Sequence, residues 1–384
     1  MQSDRLTVLE LTGTARARGR AQGEALRGHI RAVNEAHEAF LCEYFGVDPR
    51  GYLAGFRAWA DFGAAIERWA PELLEEVRGI AEGAAVDFEA MLGHQLIDEE
   101  WAYGFYRARP VIARQKCTAF AATATAGTSY AGQNMDVPRY LDGHQVLLHI
   151  RAQDSTLEQY VFTYAGLIGL AGMNAAPLGI TCNTLNQLEP SPRGLPVAFL
   201  VRRVLGCTSV ESAAKLLREV PHASGQNYIL SEPHAALCLE CSASKVVGFS
   251  GEGPPGRLCH TNHALVNDDQ AGFRALLESL PPQERELFTN SKCRYESVAQ
   301  RLGRNQRPVS LADVKAALSA HDDERHPVSR TYTDTQGSYI GFTAGSLIYE
   351  YGTVPRLYLA AGPPCSTSYR TFDFAPSAAD GRSS

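Results

Sequence analysis

Little in this chain points to nucleic acid or to a membrane. Acidic side chains outnumber basic ones, 42 to 36, for a formal net charge of −6. A polyanion therefore finds no basic footprint to grip. No apolar run reaches the roughly 18 residues that a spanning helix needs. Met1 to Glu10 contain no apolar h-region, so no secretory signal is expected. Cysteine is sparse: nine residues, an odd number, are scattered over 384. That is too thin for a disulfide scaffold, and the thiols read as reduced, buried small hydrophobes of a cytoplasmic protein. What is present is ordinary: 45% hydrophobic and 20% charged residues, enough to bury a sizeable core in one large domain or two.

The texture changes once along the chain. Leu6–Leu11 reads as a short strand. A helix is expected from about Ala15 into the Glu38 region, another from Glu72 after Trp69-Ala-Pro71, and a third capped by Asp87, so residues 1–105 are mostly helical. Arg107 to Lys116 reads as an irregular link. From Cys117 onward short β-runs recur: His144–Ile150, Gln159–Tyr164, Ile168–Met173, Gly179–Thr184, Asn227–Leu230, Ala236–Glu240, Lys245–Phe249, Arg257–His260, Ser338–Phe342, Ser346–Glu350 and Arg356–Ala360. Helices interrupt them at a capping box Thr208-Ser-Val-Glu211, over about 268–280 and 283–302, and at Ser310-Leu-Ala-Asp313. Strand runs alternating with helix blocks predict an α+β fold with two sheets between helix layers. The small, polar stretch 375–384 is expected to be disordered.

One hairpin concentrates the chemistry. The polar segment Arg114-Gln-Lys116 runs into Cys117, and then into a strand of small, β-branched and aromatic residues. After a turn at 126–129 the return strand is Tyr130-Ala-Gly-Gln-Asn-Met-Asp136. A thiol thus opens one strand and a carboxylate closes its partner, with Asn134 on the same strand face as Asp136. A free thiol, with a pKa of about 8.5, is only a few per cent thiolate at neutral pH and needs a base. An α-amino group, at about 7.7 to 8, is such a base, and a chain cut before Cys117 would place one on the cysteine's own Cα. Each residue also has a plain structural reading. Cys117 is then a core cysteine, Asp136 the opener of a turn at Val137-Pro138, and Asn262 a loop asparagine bonded to its own backbone.

Several stretches, in order, resemble the acyl-coenzyme A:6-aminopenicillanic acid acyltransferase family, a branch of the N-terminal-nucleophile hydrolases. They are Gly19-Arg-Ala-Gln-Gly23, Cys117-Thr-Ala-Phe, Gly132-Gln-Asn-Met-Asp136, Met173-Asn-Ala-Ala-Pro-Leu-Gly-Ile-Thr-Cys-Asn-Thr-Leu185, Asn227-Tyr-Ile-Leu, His260-Thr-Asn-His263 and Gly362-Pro-Pro-Cys365. The resemblance implies a four-layer αββα sandwich. It also implies self-cleavage at Lys116–Cys117, which divides one intertwined domain into a helical α-chain, 1–116, and a β-chain, 117–384. Where the family often has glycine before the cysteine, this chain has Lys116. Carried over residue by residue, the resemblance makes Cys117 the nucleophile, Asp136 its support and Asn262 an oxyanion donor. Ser291 and Arg294, one helix face apart at i and i+3, resemble a serine–arginine pair near the site, and such an arginine suits a substrate carboxylate. Asn134, Asn174, Tyr164 and Gly169 are candidate pocket residues.

The activity implied is that of a self-processing amide hydrolase or acyltransferase. It opens a small amide C–N bond through a thioester, and either water or an acceptor amine completes the reaction. Coenzyme A enters only through the resemblance, as the acyl donor of a second reading in which a small amine is acylated. No cofactor is expected: Gly251-Glu-Gly-Pro-Pro-Gly256 reads as a turn, with no helix behind it to make a phosphate loop. No metal is expected either. Cys238-Leu-Glu-Cys241 with Cys259, His260 and His263 has zinc-like spacing, but residues three apart on a strand face opposite sides. His321 to His326 reads as a charged loop without a role. A papain-like enzyme lacks its flanking Gly and Trp signature here, and a non-enzymatic scaffold predicts an uncut chain with an unreactive Cys117. The partners expected are a small amide or acyl substrate and the two cleaved chains for each other; a homo-oligomer is left open.

Overall fold

The computed structural model describes residues 6–108, 117–124, 127–153, 155, 157–281, 285, 289–304, 306–332 and 341–374. Lys116, 338–340 and the tail 375–384 lie outside the described residues. The chain begins with β1 (Thr7–Gly13) and seven helices: α1 (Ala15–Ala25), α2 (Arg27–Phe45), α3 (Pro49–Trp59), α4 (Gly63–Trp69), α5 (Pro71–Ala84), α6 (Phe88–His94) and α7 (Ile97–Tyr103). Then follow β2 (Thr118–Ala122), β3 (Ser129–Pro138), β4 (Gln145–Ala152), β5 (Gln159–Tyr164), β6 (Ala171–Asn174) and β7 (Gly179–Thr184). Helices α8 (Val197–Val204) and α9 (Val210–Glu219) lead to β8 (Gln226–Glu232), β9 (Ala235–Cys241), β10 (Val246–Phe249) and β11 (Arg257–His260). Among the described residues, helices α10 (Ala271–Ser279), α11 (Thr289–Val298) and α12 (Leu311–Leu318) precede β12 (Gly341–Tyr351), β13 (Pro355–Ala360) and β14 (Arg370–Asp373).

The strands make two sheets, in the orders β1-β4-β5-β6-β7-β8-β9-β10 and β11-β2-β3-β12-β13-β14. Among the described strands only β1 is parallel to its neighbour, β4. Side chains cross from sheet to sheet: Tyr349 Oη donates to the Ile180 carbonyl at 2.8 Å, and the Cys182 N–H donates to Gln133 Oε1 at 2.7 Å. Outside the second sheet, Phe120 and Ile348 pack with Tyr295, Val298, Val314 and Leu318 of the α11–α12 layer. Outside the first lie α5, α8 and α9, whose Val77, Val201 and Leu217 belong to the large core. This is the four-layer α+β sandwich.

Four glycines set the first layer. A Cβ at Gly19 would lie 1.9 Å from the Glu76 carbonyl oxygen, one at Gly23 2.3 Å from that of Ile80, one at Gly79 2.2 Å from that of Arg16, and one at Gly83 2.2 Å from that of Arg20. Helices α1 and α5 therefore touch backbone to backbone, which explains the Gly19–Gly23 motif. Gly19→Ala is expected to cost about 1–3 kcal/mol through overpacking, read as a lower urea midpoint; an unchanged midpoint would contradict this contact. Beside it lies a buried ion triad. Glu76 accepts from Arg18 Nη2 at 3.0 Å and from Arg202 Nη1 at 2.6 Å. Burial opposes ionisation of Glu76, but Arg202 and then Arg18 outweigh it and hold the carboxyl below its ordinary range.

Some expected boundaries shift. The single helix from Ala15 breaks at Leu26, whose φ/ψ of −110/14 is not helical: α1 is fixed on α5, while α2 turns to pack Phe40 on Tyr140. The capping box before α9 is Ser209 with Ser212, one residue on from Thr208. The runs ending at Phe342 and starting at Ser346 are one strand, β12, with a bulge between Thr343 and Gly345.

Candidate active site

Cys117 immediately precedes β2, and the register pairs Thr118 with Asn134. The thiol consequently faces Met135, Sγ to Sδ 3.6 Å, with Asp136 one residue further. Cys117 is 4% exposed, so the thiol is buried in the uncut chain. Burial, and then the charge of Asp136, push the thiol up to about 12. The Asp136 backbone N–H and Arg294 pull the other way and lose. The side chain it meets, Met135 Sδ, is a thioether, not a base. Asp136 is itself buried, its Oδ1 accepting from Thr343 Oγ1 across the sheet at 2.6 Å.

Arg294 ties the site together. It projects from α11, fully buried. Its Nη1 donates to the Cys117 carbonyl at 2.6 Å and to Thr118 Oγ1 at 2.8 Å, its Nε to Asn290 Oδ1 at 2.9 Å, and its Nη2 to Asn262 Oδ1 at 3.0 Å. This corrects the expected substrate-carboxylate role: the guanidinium is spent on protein acceptors, so Arg294 is a positioning residue. Because Arg294 takes the amide oxygen of Asn262, the Asn262 nitrogen must turn the other way. One of its hydrogens goes to the Thr184 carbonyl at 3.1 Å. Ser291 is likewise reassigned. Its Oγ accepts the Asn262 backbone N–H at 2.8 Å and meets His263 Nδ1 at 2.8 Å, so it fixes the 261–263 loop.

The two pocket asparagines are structural. Asn134 Nδ2 donates to the Leu318 and Val328 carbonyls at 2.8 and 3.0 Å, on the helix side of the sheet. Asn174 donates to Leu205 and Cys207 carbonyls and accepts from the Ala176 and Leu178 N–H groups, which fixes a turn. Gly169 lies against the Arg202 stem. Tyr164 lines a cavity of about 210 Å³ with His37, His94, Glu100 and Tyr140, and Cys117 is not among its lining residues.

The histidines near the site are not bases for the thiol. His260 is held at Nε2 by Glu240 and at Nδ1 by the Thr261 carbonyl. Burial, then His260 and Arg294, push His263 down to about 3. Neither geometry suits a papain-like pair. The zinc-like set fails too, for Cys238 Sγ donates to Asn227 Oδ1 and the ligand atoms do not converge. All nine cysteines are free.

Helix α7 contributes residues that the sequence reading passed over. Asp98 accepts from Thr184 Oγ1 at 2.7 Å and Gln226 Nε2 at 3.2 Å, so it anchors the residue whose carbonyl orients Asn262. Its neighbour Glu99 accepts from the Val197 N–H and Ser224 Oγ. Burial, and then Asp98, raise Glu99 to about 8, so Glu99 keeps its proton at neutral pH. Three adjacent acids in Leu96-Ile-Asp-Glu-Glu-Trp101, an otherwise apolar stretch, were the available signal. A carboxyl that keeps its proton longer when folded contributes a stability that is lost as pH rises, here from about 4.5 to about 8. Glu99→Gln should abolish that decline in urea midpoints; parallel declines in parent and variant would refute the assignment.

The family model described as acyl-coenzyme A:6-aminopenicillanic acid acyl-transferase matches residues 123–342. The acyl-coenzyme A:6-aminopenicillanic-acid-acyltransferase 40 kDa form of Emericella nidulans is 27% identical over 291 residues, 74% of this chain and 73% of that protein. Among solved structures, a Caenorhabditis elegans N-acylethanolamine-hydrolyzing acid amidase ortholog matches with TM-score 0.40 and 16% identity over 60% of this chain and 92% of that one. A penicillin V acylase from Agrobacterium tumefaciens matches with TM-score 0.43 and 16% identity over 68% and 87%. Among the described residues no helix is long and apolar enough to cross a membrane. The chain belongs to the acyl-coenzyme A:6-aminopenicillanic acid acyl-transferase family, and with it to the enzymes that cleave amides or transfer acyl groups.

Proposed function

We propose that the chain cuts itself between Lys116 and Cys117, and that the freed Cys117 is an N-terminal nucleophile acting on a small, linear amide. The observation that carries this is the surroundings of the thiol: Arg294 grips its carbonyl, Asp136 and Asn262 lie close by, and among the described residues no side-chain base is bonded to it. A thiol held near 12 is a slow nucleophile, enough for a single self-cleavage; repeated turnover needs a base, and the freed α-amine is bonded to the cysteine's own Cα.

In maturation, Sγ attacks the Lys116 carbonyl carbon, the C–N bond breaks, and the acyl group moves to sulfur while the nitrogen takes the thiol proton. Water then hydrolyses the thioester, leaving a Lys116 carboxylate and a Cys117 amine. In turnover the amine takes the thiol proton and Sγ adds to the substrate carbonyl. The second hydrogen of Asn262 Nδ2 meets the oxyanion. Asp136 steadies the ammonium, which returns its proton to the leaving amine. The thioester then passes to water or to an acceptor amine. Hydrolysis is the favoured outcome because water is always present; an added acceptor amine that captures the acyl group would show transfer. A coenzyme A thioester donor fits the same acyl-enzyme.

The test is the intact mass and N-terminal sequence of purified protein. Two chains, the second beginning at Cys117, are expected. An active, unbroken polypeptide would overturn the reading.

A further inference from the structure

Away from the thiol, the fold brings together three side chains that are distant in sequence. Cys293 lies on α11, while Asp323 and His326 lie on the loop after α12, and their ligand atoms are all within 4.8 Å of one another. We propose that they bind a thiophilic divalent cation of the zinc class, and that its occupancy disturbs the Arg294 clamp.

The donor set is right for the ion: one thiolate, one carboxylate and one imidazole, with the remaining tetrahedral position left to water. Zinc ligands at about 2.0–2.3 Å stand roughly 3.3–3.8 Å apart, so about an ångström of side-chain movement closes the site. The loop is already set. Asp323 Oδ1 accepts from the backbone N–H groups of Arg325 at 2.8 Å and His326 at 3.1 Å, which leaves Oδ2 for Cys293 and the cation. Cys293 and His326 are half-buried and Asp323 exposed, so the cation has both shelter and an entry path.

The link to the acyl site runs through Asn290. Its Nδ2 meets His326 Nδ1 at 2.7 Å, and its Oδ1 accepts from Arg294 Nε at 2.9 Å. A cation at Nδ1 displaces the Asn290 hydrogen. A cation at Nε2 drives the ring proton to Nδ1, donor against donor. In either case Asn290 Nδ2 loses its acceptor, and turning the amide to present Oδ1 instead sets Nδ2 against Arg294 Nε. Arg294 holds the Cys117 carbonyl, so Cys117 senses the cation. The proposed site is independent of whether Cys117 turns over amides.

The experiment uses the full chain dialysed against Zn²⁺, beside Cys293→Ser and His326→Ala, with circular dichroism to verify folding. About one equivalent is expected in the parent and none in either variant. Co²⁺ should give a thiolate charge-transfer band that Cys293→Ser loses. Zn²⁺ should change the rate of iodoacetamide labelling at Cys117 in the parent but not in His326→Ala. Equal zinc content in parent and variants, or no bound zinc, overturns the site; an identical labelling response overturns the link. Asp323→Asn, which keeps the loop acceptor, replaces a variant that fails to fold.

Discussion

Cys117→Ala yields one chain of 41.7 kDa with no turnover. The residue is both the scissor and the nucleophile of the proposed reaction, and the thiol cannot be replaced by a methyl group in either. The variant should still fold. Cys117 is small, its sulfur contacts a thioether, and its backbone grip by Arg294 does not involve the side chain. Removing one buried sulfur costs far less than the 2–5 kcal/mol of a large core truncation. A single band with native circular dichroism therefore isolates the chemistry. Two bands from the Ala variant would defeat the account, because the cut would then need some other nucleophile. Cys117→Ser, which keeps a weaker nucleophile at the same place, should be cut slowly if at all.

Asn262→Ala is expected to lower kcat by about 10²–10³ with little change in KM, as loss of one oxyanion donor does. The argument is geometric. Arg294 fixes the amide oxygen and Thr184 takes one amide hydrogen, so the other hydrogen has a defined direction before substrate arrives. The substitution also strands Arg294 Nη2 and the Thr184 carbonyl, at about 1–3 kcal/mol for a buried orphaned group, and a lower urea midpoint should accompany the kinetic loss. A raised KM at unchanged kcat would make Asn262 a substrate-binding residue instead.

How far these roles could be read from residues alone depends on distance along the chain. Cys117 and Asp136 sit on one hairpin, where alternation and a turn fix the geometry locally, and β5 and β7 match their expected spans to the residue. Asn134 and Asn174 look like pocket residues until their carbonyl partners on distant elements are known. Arg294 reads as a free cation because no pattern reveals that acceptors from residues 117, 118, 262 and 290 converge on it. Asp98 reaches Thr184 across 86 positions. Helix α8 has no expected counterpart: Val197-Ala-Phe-Leu-Val is a continuous apolar run, ambiguous between strand and helix. Its Arg202 and Arg203 declare themselves only on meeting Glu76 and Glu72.

The strand β1 and the Arg18–Glu76 half of the buried triad precede Cys117, while β4 and Arg202 follow it. A cut at that junction therefore leaves two polypeptides sharing one core, and it changes the molecularity of folding. The uncut Ala variant unfolds and refolds as a single molecule, with a midpoint indifferent to dilution. The cut protein must find its other half, so its melting temperature climbs with concentration, and recovery after denaturation becomes second order.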